Sequence, residues 1–304
     1  MNSTDSIPYF LDARQLGYLK TNTPFYYTPS TDVFSWLPDH LFSLAAPIVT
    51  YWIASIIFHA LDISEWKWLA PYRIHESAEV KSRNLVTRTQ VVRAVVLQQV
   101  VQTLIGFWWM EEKVSGAAVD HLGNMLALAP TLASVVKSIL GQAGVQILDS
   151  RGAVALYTIY WWAIPVGKLL LGMFIIDTWQ YFLHRTMHMN TWLYKKFHSV
   201  HHRLYVPYAF GALYNHPLEG FLLDTCGAGI AEALTVDDHC GYKLPWDPLQ
   251  FMSPNNADYH DIHHQVVGIK SNFSQPFFIH WDVILGTRMT RKDIELRRQE
   301  RKSK

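Results

Sequence analysis

Residues 154–202 read VALYTIYWWAIPVGKLLLGMFIIDTWQYFLHRTMHMNTWLYKKFHSVHH. The run is apolar from Val154 to Phe182, which is long enough to cross a bilayer core of about 30 Å. It then continues into two clusters of histidines without an intervening loop signal. We therefore predict a membrane-spanning helix that delivers a histidine cluster to the membrane surface.

Ten of the fifteen histidines lie between residues 184 and 264. Imidazole suits zinc, copper, iron and nickel, and residues three and four apart share one face of a helix. We therefore expect each box to present its rings in one direction. A lone histidine on an apolar face is usually an ordinary core residue, but three boxes in one stretch predict a metal site. The boxes are His184 with His188; His198, His201 and His202; and His260, His263 and His264; His216 and His239 lie between the second and the third.

The number of histidines indicates more than one ion. A closed structural zinc site needs four ligands, so eight to ten imidazoles are enough for two ions with open positions. Zinc and carboxylate-bridged hydrolases normally include ligating carboxylates, and none is built into these spacings. The pattern therefore favours activation of dioxygen over hydrolysis. Because no phosphate-binding, dinucleotide-binding, nucleophile-elbow or H-E-x-x-H motif is present, we do not expect this chain to bind NAD, ATP or flavin itself.

Acidic residues near the boxes are candidates for orienting the rings. A ligating histidine usually donates its second ring N–H to a carboxylate or a carbonyl. Asp177 stands out because a charge inside an apolar span is costly without a partner. For the other acids an ordinary surface position or a helix cap remains open, and His59, His75 and His280 are taken as ordinary. The acidic neighbours are Asp177, Glu219, Asp237, Asp238, Asp258 and Asp261, among which Asp177, Asp238 and Asp261 are the principal candidates.

The apolar runs predict an all-α integral membrane protein with about three transmembrane helices, at Leu41–Leu61, Val91–Met110 and Val154–Phe182. The second run contains Arg93 and three glutamines, so a buried soluble helix is its alternative. Ala129–Leu148 is amphipathic, and we expect it to lie on the surface. Phe221–Leu234 is too short to span twice, which favours a short re-entrant or interfacial hairpin. A histidine-rich helical cap in the cytosol completes the predicted fold.

Loop charge predicts the orientation. Lysine and arginine are frequent in residues 62–90, in the histidine region and after Gly286, and the positive-inside tendency places these parts in the cytosol. The basic end, residues 301–304, is similar to a dilysine-type retrieval signal of the endoplasmic reticulum. The first forty residues lack a basic start followed by an apolar run, so we expect no cleavable signal peptide. The predicted segments are an N-terminal segment at 1–40, transmembrane helices at 41–182, a catalytic region at 183–290 and a basic tail at 291–304.

The composition and net charge of the chain limit the kinds of partner that it can be expected to bind. A net charge of +1 gives no argument for binding nucleic acid. The two cysteines, Cys226 and Cys240, form neither a disulfide framework nor a C-x-x-C pair, and we expect two reduced thiols. Membrane lipid is the partner that the apolar runs indicate.

The order HRTMH, HSVHH and HDIHH on a multispan chain resembles the fatty acid hydroxylase superfamily of membrane di-iron oxygenases. Four further runs are similar to the fungal sphinganine 4-hydroxylase group of that superfamily. They are WLAPYRIHES at 68–77, YNHPLEG at 214–220, TVDDHCGY at 235–242 and LPWDP at 244–248. The resemblance implies an enzyme of the endoplasmic reticulum that hydroxylates carbon 4 of sphinganine or dihydroceramide, giving a phytosphingosine-type base.

The resemblance also implies the ligands and partners. The eight box histidines hold two iron ions, His239 is a ninth ligand, and His216 is either a tenth or a structural residue beside Pro217. Zinc in a purified sample would also fit imidazole. Dioxygen is the oxidant, and electrons come from NADH through cytochrome b5 and its reductase, which are separate proteins. An apolar groove between the second and third spans would hold the lipid chain, with a polar end for the amino-diol head.

Three alternatives remain open at this stage. A sterol or fatty acid oxidase or desaturase would share the same boxes. A membrane metal transporter would place its ligands within the spans near the midplane. An inactive relative is the third alternative, because Phe221–Leu234 is shorter than the apolar hairpin that the family has at this position.

Overall fold

The computed structural model describes residues 10–29, 32–64, 66–109, 119–225 and 230–302. Regular structure in these ranges is helical, as predicted, and an isolated antiparallel bridge pairs Arg73 with Tyr242. The main helices are α1 (Ala13–Thr21), α2 (Asp39–Ile63), α3 (Ser77–Arg83), α4 (Arg88–Trp109), α5 (His121–Thr158), α6 (Ile164–Met189), α7 (Ile230–Asp238), α8 (Ala257–His264) and α9 (Arg291–Lys302). Short helical turns lie at Ala70–Tyr72, Ile159–Ala163, Thr191–Leu193, Tyr194–His198, His201–Arg203, Ala209–Leu213, Pro217–Gly220, Phe221–Thr225, Pro248–Met252 and His280–Ile284.

Three helical runs in the described ranges are long and apolar enough to cross a membrane, which confirms the predicted number. They are Asp39–Ile63, Arg88–Trp108 and His121–Met189. On α4, Leu104 is 64% exposed and Trp108 is 82% exposed, whereas Gln98 and Gln99 are buried. The apolar side of this helix therefore faces outward, and Gln98 and Gln99 pack inward, as a membrane span requires. Met110, the predicted last residue of this span, lies outside the described residues.

The third run contains a fold-back that the sequence analysis did not anticipate. Its 69 residues would extend about 100 Å as one straight helix, far more than a bilayer core. Gly141 interrupts α5 with φ 56° and ψ −132°, a conformation that glycine adopts readily. The two arms then pack together, and a Cβ at Gly144 would lie 2.7 Å from the Val136 carbonyl oxygen. Ala129–Leu148 is thus the turn of a helical hairpin rather than one continuous helix, with both end residues buried and most residues between them exposed. Whether this stretch lies on the membrane surface remains a prediction.

The chain divides into two compact units. One comprises the described parts of residues 1–35 and 113–172, and in its core α1 packs on α5 through Leu19, Met125 and Leu156. The other comprises the described parts of residues 36–112 and 173–304 and contains all three histidine boxes. The four segments predicted from sequence remain a prediction.

In the second unit, the segment that follows the second histidine box packs against two membrane-spanning helices, α2 and α4. Tyr51 of α2 and Val95 of α4 belong to one core with Leu204 and Leu213. The Tyr51 hydroxyl also donates a hydrogen bond to the Phe210 carbonyl oxygen at 2.8 Å. Residues 204–214 are therefore anchored by side chains of the membrane helices, and this fixes the backbone that borders the histidines.

The predicted hairpin Phe221–Leu234 is divided between two helical elements. Residues 221–225 form a wide helical turn, and α7 begins at Ile230. Residues 226–229, which include Cys226, lie outside the described residues. Whether this segment is re-entrant or interfacial remains a prediction.

Candidate metal centre

The helices that bear the boxes set the direction of each ring. His184 and His188 are one turn apart near the end of α6, and both are buried. The second box lies on consecutive turns after α6, from Tyr194 to Arg203. The third box lies on α8, which begins after Asn256, whose side chain accepts a hydrogen bond from the backbone N–H of Tyr259. Asparagine is a favoured cap at this position, so the helix start is fixed locally.

The rings gather into two groups. In each group the ligand nitrogens all lie within 4.8 Å of one another. The first group is His184, His188, His198, His202 and His263, and the second is His201, His239, His260 and His264. The structure therefore brings together all eight box histidines and His239. The short connection before α7 does not prevent His239 from reaching its group.

The second and third boxes each divide between the groups, contrary to our expectation of one direction per box. His198 and His202 serve the first group, whereas His201 serves the second. The third box does the reverse, since His260 and His264 serve the second group and His263 the first. Neighbouring residues on a helix point about 100° apart. A box of this spacing can therefore bridge two sites, with its two outer histidines on one and its inner histidine on the other.

Backbone carbonyls hold the outer nitrogens of the rings. Five Nδ1 atoms lie 2.7–3.1 Å from a carbonyl oxygen, which can only accept, so these nitrogens carry the proton. The Nδ1 of His198 instead contacts the Glu219 carboxylate. The five pairs are His184 with Phe273, His201 with Tyr214, His239 with Thr235, His263 with Ser271 and His264 with Leu204. The Nε2 atoms of these rings are left with a lone pair directed into the groups.

The inner nitrogens fit a bound cation. Nε2 atoms face each other at 3.1 Å between His184 and His198, and at 3.1 Å between His201 and His264. Two lone pairs at this separation repel unless a positive charge lies between them. Neighbouring ligands at right angles, each about 2.1 Å from one ion, would be separated by about 3 Å. The Nε2 of His263 is buried without a hydrogen-bond partner, as expected of a nitrogen reserved for a metal.

The clustered histidine rings are not protonated at neutral pH, so a proton does not take the place of the metal cation. Burial, followed by the charge of His239, lowers the pKa of His201 to about 3. Burial likewise lowers the pKa of His239 to about 4. Both rings are therefore neutral near pH 7. Neutral imidazole is a ligand that iron, zinc and copper accept, so the donor sets of five and four nitrogens fit two metal ions.

The three principal acidic candidates do not reach the rings. Asp177 accepts hydrogen bonds from the backbone N–H groups of Phe277 and Phe278 at 2.9 and 2.8 Å. Asp238 accepts one from the Asn255 side chain, and Asp261 contacts His75 and Arg291. Backbone carbonyls occupy the positions that we expected these acids to take. Of the six acids proposed, Glu219 is the one that contacts a grouped histidine among the described residues.

His216 also lies apart from both groups. Its Nδ1 accepts a hydrogen bond from the backbone N–H of Leu218, which caps the turn Pro217–Gly220. Its ring packs edge-on against Phe197. We therefore leave His216 out of the proposed ligand set and assign it a structural role beside Pro217.

Sequence reasoning missed Asp282 and Asn272, which shape the loop that holds two rings. Asp282 is completely buried and accepts hydrogen bonds from the backbone N–H groups of Phe273 and Ser274 and from two hydroxyls. Asn272 has φ 55° and lies between the two residues whose carbonyls hold His184 and His263. Asparagine tolerates this conformation better than most residues. Nothing in the local sequence distinguishes Asp282 from an ordinary helix acid.

Comparison with known proteins agrees with this geometry. A family model described as Fatty acid hydroxylase matches residues 169–231. The chain is 44% identical to the sphingolipid C4-hydroxylase of Saccharomyces cerevisiae over 85% of this chain and 74% of that protein. It is 39% identical to sphinganine C4-monooxygenase 1 of Arabidopsis thaliana over 83% of this chain and 88% of that protein. It is also 38% identical to a very-long-chain aldehyde decarbonylase of Oryza sativa subsp. japonica over 84% of this chain and 90% of that protein. No solved structure matches the chain.

The three relatives are 38–44% identical to this chain over 83–85% of its length, and the family model covers the first two histidine boxes. The chain belongs to the fatty acid hydroxylase family, in the group that contains the sphingolipid C4-hydroxylases. The resemblance expected from the three boxes and the flanking runs is thereby confirmed.

Proposed function

We propose that this protein hydroxylates carbon 4 of sphinganine or dihydroceramide and so produces a phytosphingosine-type base. The observation on which the proposal depends is the convergence of nine histidines into two buried groups with their Nε2 atoms inward. The names of relatives that match most of the chain supply the substrate class. Buried clustered imidazoles alone would fit other metal-dependent oxidations.

Two iron ions are the metals that we propose, one held by each histidine group. When bound, they supply the activation of dioxygen that oxidising an unactivated C–H bond requires, which no side-chain acid or base provides. The backbone carbonyls keep the proton on Nδ1 of five rings, and this keeps Nε2 of these rings free to act as a ligand. Glu219 holds the corresponding proton of His198. All nine rings are buried, so the protein itself excludes bulk water from the site.

The electron source and the location belong to the same proposal. Electrons would come from NADH through cytochrome b5 and its reductase, as separate proteins. The first histidine pair lies at the end of α6, beside the basic residues Arg185, Lys195 and Lys196. The positive-inside tendency then favours a multi-pass protein of the endoplasmic reticulum membrane with its active site facing the cytosol.

The test is complementation of a strain that lacks the sphingoid-base hydroxylase. Cells would receive the intact protein, His263→Ala or the matched control His216→Ala, and trihydroxy bases would be measured by mass spectrometry. We expect the product with the intact protein and with His216→Ala, and none with His263→Ala or without oxygen. Iron in the purified proteins would be measured in parallel. An intact, iron-loaded protein that yields no trihydroxy base would overturn the proposal.

A second candidate has support in one of the comparisons. The rice relative named as a very-long-chain aldehyde decarbonylase matches 84% of this chain, so action on a long-chain aldehyde is the competing function. The same cells, supplied with a long-chain aldehyde, would be analysed for hydrocarbon products. A sterol oxidase has weaker support, since methylsterol monooxygenase 1 of Rattus norvegicus matches 41% of the chain.

The remaining alternatives differ in their dependence on oxygen. A metal transporter would change cellular metal content without consuming dioxygen, and its ligands would lie near the middle of the spans. The two histidine groups instead combine the end of α6 with segments outside the three spans. An inactive relative would bind metal and form no product in either assay.

A further inference from the structure

A cavity of about 150 Å³ lies between α4 and the segment from Asn215 to Phe221. Its walls are mostly apolar. Three carboxamides interrupt this apolar lining, from Gln98, Gln102 and Asn215. Gln98 and Gln102 are four residues apart and so share one face of α4. Polar side chains on a membrane span are costly and usually mark a functional site.

The segment that lines this cavity also contacts both histidine groups. The Asn215 side chain hydrogen-bonds to His201, and the neighbouring Tyr214 carbonyl accepts from Nδ1 of the same ring at 3.1 Å. At its other end, Glu219 contacts His198 of the first group. A ligand in the cavity therefore lies against the backbone that orients one ring of each group.

The cavity rim is directed to lipid. Leu97, Val101 and Phe221 are 58%, 42% and 41% exposed, and the first two lie on the candidate span Arg88–Trp108. The backbone of Gly220 approaches α4 closely, since a Cβ there would lie 2.4 Å from Oε1 of Gln98. The close approach brings the segment against the glutamine, while the exposed apolar residues give a hydrocarbon chain a surface to follow into the bilayer.

We propose that this cavity binds the amino-diol head of the long-chain base, with Gln98 and Gln102 as specificity-determining residues. The proposal rests on the proposed function, because carbon 4 is bonded to the carbon that bears the 3-hydroxyl. The head must then lie beside the metal centre when carbon 4 reacts. A neutral carboxamide both donates and accepts, which matches hydroxyl and amino groups. The cavity holds several water-sized groups, enough for the head but not for the hydrocarbon chain.

This position differs from the groove expected from sequence. That groove was placed between the second and third spans, whereas the cavity lies between the second span and residues 215–221. The hydrocarbon chain of the ligand would leave the cavity past Leu97 and Phe221. The polar head and the hydrocarbon chain would therefore contact different surfaces of the protein.

The experiment compares Gln98→Leu and Gln102→Leu with the intact protein in lipid nanodiscs. Leucine keeps similar bulk and removes the amide. Equilibrium binding is measured without oxygen for sphinganine and for its 1-deoxy analogue, which lacks the C1 hydroxyl. We expect the intact protein to prefer sphinganine, and each variant to weaken sphinganine binding about tenfold while binding of the analogue changes little. Iron content should stay unchanged, which a merely structural role would not predict.

The matched control is Gln99→Leu. Gln99 neighbours Gln98 on α4 but accepts a hydrogen bond from the Trp52 indole at 2.9 Å and does not line the cavity. We expect Gln99→Leu to keep the preference for sphinganine. Unchanged preference in both Gln98→Leu and Gln102→Leu would overturn the proposal, as would an intact protein that does not distinguish the two ligands. Tight, selective binding without any oxygen-dependent product would instead overturn the proposed function and leave the binding site standing.

Discussion

Replacing Asp282 with asparagine removes the support of the loop that holds His184 and His263. The Asp282 carboxylate accepts four hydrogen bonds in a fully buried position, from the backbone N–H groups of Phe273 and Ser274 at 3.1 and 2.8 Å and from two hydroxyls at 2.9 and 2.6 Å. Asparagine keeps one oxygen and places an NH₂ group where donors already point. About two of the four donors then lose their acceptor.

Each buried donor left without an acceptor costs about 1–3 kcal/mol. Asp282→Asn should therefore lower the free energy of unfolding by about 2–6 kcal/mol, a large part of the stability of a typical domain. Displacement of the loop would also break the hydrogen bonds by which its carbonyls hold the Nδ1–H groups of His184 and His263. Loss of such support typically lowers metal affinity about 10–100-fold.

The assay is metal content by mass spectrometry, together with denaturant unfolding in detergent. Asp293→Asn is the matched control, because Asp293 lies far from the metal centre in sequence, is partly exposed, and caps α9 by accepting a hydrogen bond from the backbone N–H of Thr290. We expect the control to keep its metal and its unfolding midpoint. If Asp282→Asn matches the intact protein in both measurements, the loop does not depend on this carboxylate and the reasoning is wrong.

Three further predictions address other parts of the site. Glu219→Leu should weaken metal binding about 10–100-fold, whereas Glu219→Gln should keep most of it because an amide oxygen still accepts from His198; competition with a chelator measures both, and equal affinities would contradict the role. The metal-free protein should lose stability in acid. Burial holds the pKa of His201 at about 3 and that of His239 at about 4 against 6.5 when unfolded, so the unfolded chain binds more protons below pH 6.5. Melting temperatures should therefore be highest above pH 6.5 and fall toward pH 4; a rise on acidification would refute this. Asn272→Ala should lower the free energy of unfolding by about 1–3 kcal/mol for each buried partner it leaves unsatisfied, and Asn272→Gly should lower it less because glycine keeps φ 55° without strain; equal denaturant midpoints for the two variants would argue against strain.

Features that depend on local periodicity and length were accessible from the sequence. Apolar runs of sufficient length predicted three membrane-spanning helices, and the structure has three such runs in its described ranges. The spacing of the boxes marked eight of the nine histidines that converge, since the i and i+4 positions of a helix share a face whatever the tertiary fold. His239 followed from the family resemblance. The fold-back at Gly141 was missed because glycine in an apolar helix is common, and only the packing of the two arms requires a turn there.

Which residues form hydrogen bonds across long chain separations was decided by the tertiary structure alone. The boxes indicate that each ring needs an acceptor for its second nitrogen, but the acceptor of His264 is the Leu204 carbonyl and that of His184 is the Phe273 carbonyl. Every residue has a backbone carbonyl, so no side-chain pattern can show which one will be used. The cost of burying Asp177 likewise shows that it needs partners without showing that they are the N–H groups of Phe277 and Phe278. The sequence by itself therefore determined which side chains can act as ligands, whereas the fold decided how they divide between two groups and what holds them, because these depend on which segments pack together over long chain separations.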